Sequence, residues 1–358
     1  MRCCVECFKD IHIRSTIEKQ GIIGDCDYCS GKNVAVYDIA ISPNPIADAI
    51  IELVQIYSVS GLREAKPLRI ALREDWDIFN AEEIVIQKLV VDLCESVIGS
   101  DSEIFSQNVI IAELHDDHFL KEFGVVGGVS WEKFAESIKF RNRFHSGMFN
   151  ADAFASFLSI LAKPYSFGTE FYRARITNNN IGYAPTEMSA PPPDKRSAGR
   201  INPEGIGVLY LSSDDHTVLN EVRANAFDYV SIGTFKLTED IKVVNLSGIS
   251  KTSPFLYQGE LERYAANKNV FQEIAIEIAK PLRRSDSLIE YLPTQYIAEF
   301  IKSQGYDGVE YASTLREGGY NIAVFDELLL ECMSVNTVEI AKIQYELRKQ
   351  TLHGGDIP

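Results

Sequence analysis

Residues 199–223 read GRINPEGIGVLYLSSDDHTVLNEVR, and this stretch decides how the C-terminal half of the chain folds. Gly199, Pro203, Gly205 and Gly207 make a constrained turn, since glycine opens backbone angles closed to other residues and proline fixes one. The apolar run VLYLS (208–212) then reads as a strand. HTVLNEVRA (216–224) spaces Val218, Leu219 and Val222 as a helix does. A turn–strand–helix unit of this kind holds Arg200 and Asn202 rigidly at a cleft. It also sets the carboxylate of Glu221 against a partly apolar wall.

Working outward, FYRARI (171–176), YVSIGTFKL (229–237), IKVVNL (241–246) and YNIAVF (320–325) are further short strands rich in β-branched and aromatic residues. PTQYIAEFIKSQ (293–304) reads as a helix, with Pro293 or Thr294 at its start. Strand alternation sends Arg173 and Arg175 to one face and Tyr172 and Ala174 to the other. Guanidinium groups are expensive to bury unless they meet an anion, and a diphosphate satisfies them in bidentate fashion. GYDGVEYAS (305–313) reads as a turn and a strand that delivers Ser313 to the strand end. Residues 177–200 form a long loop with three consecutive prolines, the kind of segment that is functional or disordered.

Two stretches, EMSAPPPDKRSAGRINPEGIGVLYLSSDDHTVLNEVRA and YLPTQYIAEFIKSQGYDGVEYAS, resemble the two halves of the RES domain in the family's order, over about residues 166–330. RES proteins are bacterial toxins that consume NAD⁺ by hydrolysis or phosphorolysis on a fold related to ADP-ribosyltransferases. The resemblance places the family's arginines at Arg173 and Arg200, its strand tyrosine at Tyr210, its helix glutamate at Glu221 and its serine at Ser313. It further implies that Arg173, Arg200, Tyr210, Asn202 and Gln295 bind NAD⁺. The family usually carries an aromatic residue or alanine between Arg200 and Asn202, where this chain has Ile201.

The implied chemistry suits these residue types. The nicotinamide of NAD⁺ is already a cationic leaving group, so one carboxylate suffices where ordinary glycosides need two. Glu221 would stabilise the oxocarbenium-like charge and hold a ribose hydroxyl. Arg173 and Arg200 would hold the diphosphate, Tyr210 would pack on nicotinamide or ribose, and Ser313 would hydrogen-bond substrate or Glu221. The acceptor, water or phosphate, stays open. The alternative is an ADP-ribosyltransferase modifying a protein or nucleic acid. A further alternative is a nucleic-acid-binding or ribonuclease protein.

Toward the N-terminus, five of the seven cysteines fall within the first 29 residues. Cys4-x-x-Cys7 and Cys26-x-x-Cys29, 18 residues apart, have the spacing of a four-thiolate structural zinc site. Cys3 and His12 are spare ligands nearby, whereas Cys94 and Cys332 sit among apolar neighbours as core residues do. Residues 45–59, 82–99, 130–144 and 151–163 carry helical periodicity, the last with Asn150 or Asp152 as cap and Pro164 as its end. This helical segment resembles the HEPN-like N-terminal domain fused to some RES domains. Yet Arg141 and His145 stand too close for the Arg-to-His spacing of HEPN ribonucleases, and the His115–His118 pair lacks a third ligand.

With 35 basic and 51 acidic residues the net charge is −16, which repels phosphate backbones and disfavours nucleic acid as a partner. Neither an 18-residue apolar run nor a signal-peptide core is present, so no membrane span is expected and a cytoplasmic protein is the simplest reading. The expectation is an α+β chain. A zinc ribbon (1–40) would precede a helical HEPN-like domain (41–165). A mixed α/β, ADP-ribosyltransferase-like RES catalytic domain (166–335) and a C-terminal helix and tail (336–358) would follow. The partners so implied are NAD⁺ and an antitoxin or regulatory protein, and a homo-oligomer is compatible with the sequence.

Overall fold

The computed structural model describes residues 1–248, 252–257, 259–280 and 287–343. It is a mixed α+β chain that divides into two units. The first comprises residues 1–161 and 248–274, and the second 162–247 and 275–358.

In the first unit, β1 (Arg2–Cys4), β2 (Ile23–Gly24) and β3 (Val34–Asp38) form a small antiparallel sheet in the order β1-β3-β2, with α1 (Ile11–Gln20) between its first two strands in sequence. Asp10 caps α1 by accepting from the backbone N–H of His12 and Ile13, which satisfies two of the helix's orphan donors. Next come α2 (Pro45–Gln55), β4 (Tyr57–Val59), β5 (Lys66–Pro67), α3 (Leu68–Trp76), α4 (Glu83–Ile98), β6 (Asn108–Ile111), α5 (Asp117–Phe123), α6 (Trp131–Phe140) and α7 (Ala151–Leu161). Periodicity placed α4 and α7 well, and Asn150 caps α7 through the N–H of Ala153.

Two expectations for this region are corrected, and one helix is added. The helix expected over 45–59 stops at Gln55, and Tyr57–Val59 pair with Val109–Ile111, so the middle region carries its own sheet, ordered β4-β6-β5. The β-preferring Tyr57 and Val59 gain more from that pairing than from another helical turn. The helix expected over 130–144 stops at Phe140, because Arg141 leaves helical geometry (φ −122°, ψ −69°). The 19-residue helix α9 (Leu261–Ala279) went unread in the sequence; it begins in the first unit, and its last five residues belong to the second. Phe154, Phe157 and Phe271 pack as one aromatic cluster in the first unit's core.

The second unit is built on an eight-stranded sheet made of β7 (Ala162–Tyr165), β8 (Glu170–Thr177), β9 (Leu209–Ser212), β10 (Tyr229–Leu237), β11 (Ile241–Asn245), β12 (Gly308–Ala312), β13 (Tyr320–Val324) and β14 (Leu330–Glu339). The order is β14-β10-β8-β9-β13-β12-β11-β7, with only β11 and β12 parallel. Helices α8 (Asp215–Glu221) and α10 (Leu292–Ser303) complete the unit. Residues 334–339, expected to open a tail helix, are instead strand and pair with β10 through Tyr229↔Glu339. Their β-branched Val335, Thr337 and Val338 favour that outcome. The remainder of the expected tail helix, from residue 344, lies outside the described residues.

Alternation gives the sheet two working faces. Leu209, Leu211, Ile322, Val324, Phe171 and Phe235 bury one face with Met188. Met188 comes from the long loop 177–200, which is docked on that face. Val218 of α8 packs with Ala174 and Val230 on the other face.

Candidate active site

Strands β8 and β9 share a single paired position, Tyr172 opposite Ser212, and then part. Just beyond that pair lies a cavity of about 280 Å³, lined by Arg173 and Ala174 of β8 and Tyr210, Leu211 and Ser212 of β9. Gly199, Arg200, Val218, Glu221, Val222, Tyr291, Tyr311 and Asn321 complete its wall. A gap between diverging strands explains how side chains from both faces of the sheet reach one cavity.

The Gly199–Gly207 turn is braced from within. The Tyr210 hydroxyl accepts from the Ile201 N–H (3.0 Å) and donates to Asn202 Oδ1 (2.8 Å). Asn202 Nδ2 donates in turn to the carbonyls of Ser197, Pro203 and Ile206. Gln295 Nε2 donates to the carbonyls of Gly199 (2.7 Å) and Asn202 (2.9 Å), and Thr294 Oγ1 to that of Arg200 (2.6 Å). A Cβ at Gly199 would lie 2.6 Å from both the Tyr210 hydroxyl and Asn202 Oδ1, so only glycine fits there. The amides of Asn202 and Gln295 are thus spent on the turn, and neither residue lines the cavity. They hold Arg200 in place.

Arg200 donates from Nη1 to the carbonyls of Ile278 (3.2 Å) and Ala279 (3.0 Å), which end α9. Carbonyls of a last helical turn lack intrahelical donors and carry negative partial charge, so a guanidinium suits them. The same guanidinium lies 5.5 Å from the Tyr311 ring centroid.

Arg173 is the least satisfied group of the site. Its Nη1 is buried with no hydrogen-bond partner among the described residues. Burial, followed by the charge of Arg175, pushes its pKa down to about 10, still fully charged at neutral pH. Arg175 itself is engaged elsewhere: it stacks on Tyr183 (4.4 Å) and donates to the Glu187 carbonyl, both in the long loop. The two arginines that alternation put on one face therefore diverge, one to the cavity and one to the loop.

Glu221 ends α8. Asp214 caps that helix, accepting from the N–H (2.9 Å) and hydroxyl (2.7 Å) of Thr217, and Arg316 pairs with the cap. Glu221 Oε1 accepts from Ser313 Oγ (2.8 Å) and from Asn321 Nδ2 (2.8 Å). Oε2 accepts no hydrogen bond among the described residues, and Glu221 lines the cavity. Burial pushes the Tyr311 hydroxyl up to about 12 and raises Tyr210 further, so both are neutral hydroxyls at physiological pH.

The sequence singled out Arg173, Arg200, Tyr210, Glu221 and Ser313, and the structure places the first four on one cavity with Ser313 hydrogen-bonded to Glu221. It missed Tyr291, Tyr311, Ser212 and Asn321. The signal for Asn321 was present, since a polar amide inside the apolar run YNIAVF needs a buried partner.

The four N-terminal cysteines converge as well. Their sulfurs all lie within 4.8 Å of one another, with Cys4–Cys29 at 3.4 Å, Cys7–Cys26 at 3.7 Å and Cys4–Cys7 at 3.8 Å. A zinc tetrahedron with Zn–S of about 2.3 Å requires separations of about 3.8 Å, so the set fits. Backbone N–H groups of Tyr28 and Cys29 point at Cys26 Sγ (3.4 Å each), as donors do toward thiolates. Cys3 and His12 stand outside the cluster. Four thiolates leave no open position, so this site can hold a structural ion only. The remaining motifs do not assemble. Arg141 pairs with Glu136, and His115 and His118 pair with Glu64 and Glu122; all are exposed.

Residues 170–346 match the model of the RES domain. The solved structure of the M. tuberculosis MbcT–MbcA toxin–antitoxin complex matches with 14% identity, covering 52% of this chain and 92% of that one, at a TM-score of 0.32, too low to establish a common fold. No curated protein matches. Among the described residues, no helix is long and apolar enough to cross a membrane.

Proposed function

Residues 170–346 are a RES domain, and from that premise we propose that this unit cleaves the nicotinamide–ribose bond of NAD⁺. The observation that carries the reading is the pairing, across one cavity, of an unsatisfied buried cation with a carboxylate oxygen left open. Among the described residues, Arg173 presents a partnerless Nη1, and Glu221 keeps Oε2 free while Oε1 is held by two donors. A diphosphate placed against Arg173 and Arg200 would satisfy the buried guanidinium that the protein alone does not.

In this reading Glu221 Oε2 takes a ribose hydroxyl and faces C1′. As the C1′–N bond breaks, its electron pair passes to the pyridinium nitrogen and nicotinamide leaves neutral. The positive charge then spreads over C1′ and the ring oxygen. A fixed carboxylate stabilises that charge without reorganising. Water attacks C1′ and loses a proton to give ADP-ribose, or phosphate attacks to give its 1-phosphate. Tyr311 and Tyr210, neutral and held, wall the cavity. A chain that depletes NAD⁺ in this way acts as a toxin, and an antitoxin or other regulatory protein would restrain it. In the first unit, the four-cysteine site would hold structural zinc through Cys4, Cys7, Cys26 and Cys29.

The test is nicotinamide release by the purified full chain, with and without phosphate, beside the Glu221→Ala variant. Release that the variant loses supports the reading, and phosphate dependence separates phosphorolysis from hydrolysis. Equal rates for the variant and the parent overturn it. Labelled protein or nucleic acid in place of free products would shift the conclusion to ADP-ribosyl transfer.

A further inference from the structure

A row of side chains crosses the sheet behind the cavity. Tyr172 of β8 lies opposite Ser212 of β9, Ser212 opposite Asn321 of β13, and Asn321 opposite Tyr311 of β12. Directly opposed residues share a face, so these four point the same way. Asn321 stands at the centre of the row and is 3% exposed.

Both ends of its amide are engaged. Nδ2 donates to Glu221 Oε1 (2.8 Å), and Oδ1 accepts from Ser212 Oγ (2.6 Å). A carboxylate can only accept, so the nitrogen must face Glu221 and the oxygen must face the serine hydroxyl. The carboxylate therefore fixes which way the amide points, and the Ser212 hydroxyl, which can donate or accept, takes the donor role and anchors Oδ1. Ser313, the first residue after β12, delivers the second donor to the same carboxylate oxygen.

We propose that Asn321 is a positioning residue that, anchored by Ser212, holds Glu221 by one oxygen so that the other stays available to substrate. The proposal rests on the reading of Glu221 given above. Its physical basis is that α8 ends at Glu221. A glutamate in a last helical turn has several rotamers open to it, and each misplaced one withdraws the carboxylate from the reacting carbon. Two donors from the rigid sheet and the 313–319 loop select one rotamer before substrate arrives. The sheet register that sets Asn321 opposite Ser212 thereby sets the carboxylate. The charged and titratable groups facing the same cavity are Arg173, Arg200, Tyr210, Tyr291 and Tyr311.

The experiment measures kcat and KM for nicotinamide release, from acid to alkaline pH, on the full chain. The variants are Asn321→Ala, Asn321→Asp and Ser212→Ala, with Glu221→Gln as reference and melting curves to confirm folding. Asn321→Ala is expected to lower kcat roughly ten- to hundredfold, the worth of one hydrogen bond to a charged group, with KM changed far less. Ser212→Ala removes the donor that anchors Oδ1, loosening the amide, and should cost roughly two- to tenfold. Asn321→Asp keeps the shape but sets two carboxyls side by side. They share a proton, so this variant should gain an ionisation that the parent lacks, its kcat falling as pH rises and that proton leaves.

A role confined to filling space would leave the pH profile alone. Folded Asn321→Asp with a profile parallel to the parent, together with unchanged kcat in Ser212→Ala, overturns the proposal even if Asn321→Ala does not fold. If Glu221→Gln abolishes cleavage while these variants match the parent, only the positioning role falls. If Glu221→Gln itself cleaves NAD⁺ normally, the functional reading falls and takes this one with it.

Discussion

Replacing Arg173 by methionine should make the protein more stable and its substrate complex less so. Nη1 of Arg173 is buried without a partner among the described residues, and the neighbouring charge of Arg175 repels the group. An unsatisfied buried polar group costs about 1–3 kcal/mol. Methionine keeps most of the apolar stem and removes the orphan, with some packing lost at the head. The net expected gain is about 1–2 kcal/mol, which for a unit of this size raises the melting temperature by about 2–8 °C. With NAD⁺ that advantage shrinks. A ligand at about a hundred times its Kd stabilises the native state by about 2.7 kcal/mol. Losing a charged hydrogen bond worth about 1.5–3 kcal/mol weakens binding roughly ten- to hundredfold. The assay is thermal melting, with and without NAD⁺, of Arg173→Met made in the Glu221→Gln background so that the nucleotide survives the scan. The expected outcome is Arg173→Met above its parent without ligand, with a clearly smaller NAD⁺-induced rise than its parent shows. A variant that melts lower than its parent without ligand, or that keeps the full NAD⁺-induced rise, would refute the reasoning from the unsatisfied guanidinium.

Three further outcomes follow from other parts of the structure. The purified chain should carry one zinc ion, measured by atomic emission; Cys7→Ser should carry none, and chelation should expose residues 1–40 to protease, because the ribbon's small core cannot hold it unaided. Gly182→Ala should cost about 2–4 kcal/mol in denaturant unfolding, since Gly182 has φ +78° and an added Cβ would stand 1.9 Å from Thr337 Oγ1 and 2.6 Å from Ser231 Oγ; a loss under about 0.5 kcal/mol would mean the loop is not anchored there. Glu310, 2% exposed, is bonded by Lys163 Nζ (2.8 and 3.0 Å), the Tyr165 hydroxyl (2.5 Å) and Ser247 Oγ (3.2 Å). Glu310→Ala should destabilise by about 2–4 kcal/mol, while adding Lys163→Met should recover part of that loss, because the stranded charge is what costs most.

The convergence of Cys4, Cys7, Cys26 and Cys29 could be read from spacing alone, since two CxxC pairs need only local chain geometry to present four sulfurs. The RES-like order of Arg173, Arg200, Tyr210, Glu221 and Ser313 was legible for a similar reason: each sits in a short segment whose turn, strand or helix is set by nearby residues. What each group does once there was not legible. Asn202 and Gln295 looked like substrate ligands and instead brace a turn, because an amide's partners are chosen by which carbonyls the fold brings within reach. Arg173 and Arg175 share a strand face by alternation, yet the splaying of β9 from β8 and the docking of the long loop send them to different neighbours. The β-structure at 57–59 and 334–339 also escaped the sequence, since short segments take their state from a distant strand that pairs with them. Asn321 is the clearest case. Local sequence determined that it lies in a strand and needs a partner, and only the register between strands far apart in the chain decided that its partners are Ser212 and Glu221, since hydrogen-bond geometry depends on ångström-scale position that sequence spacing does not carry.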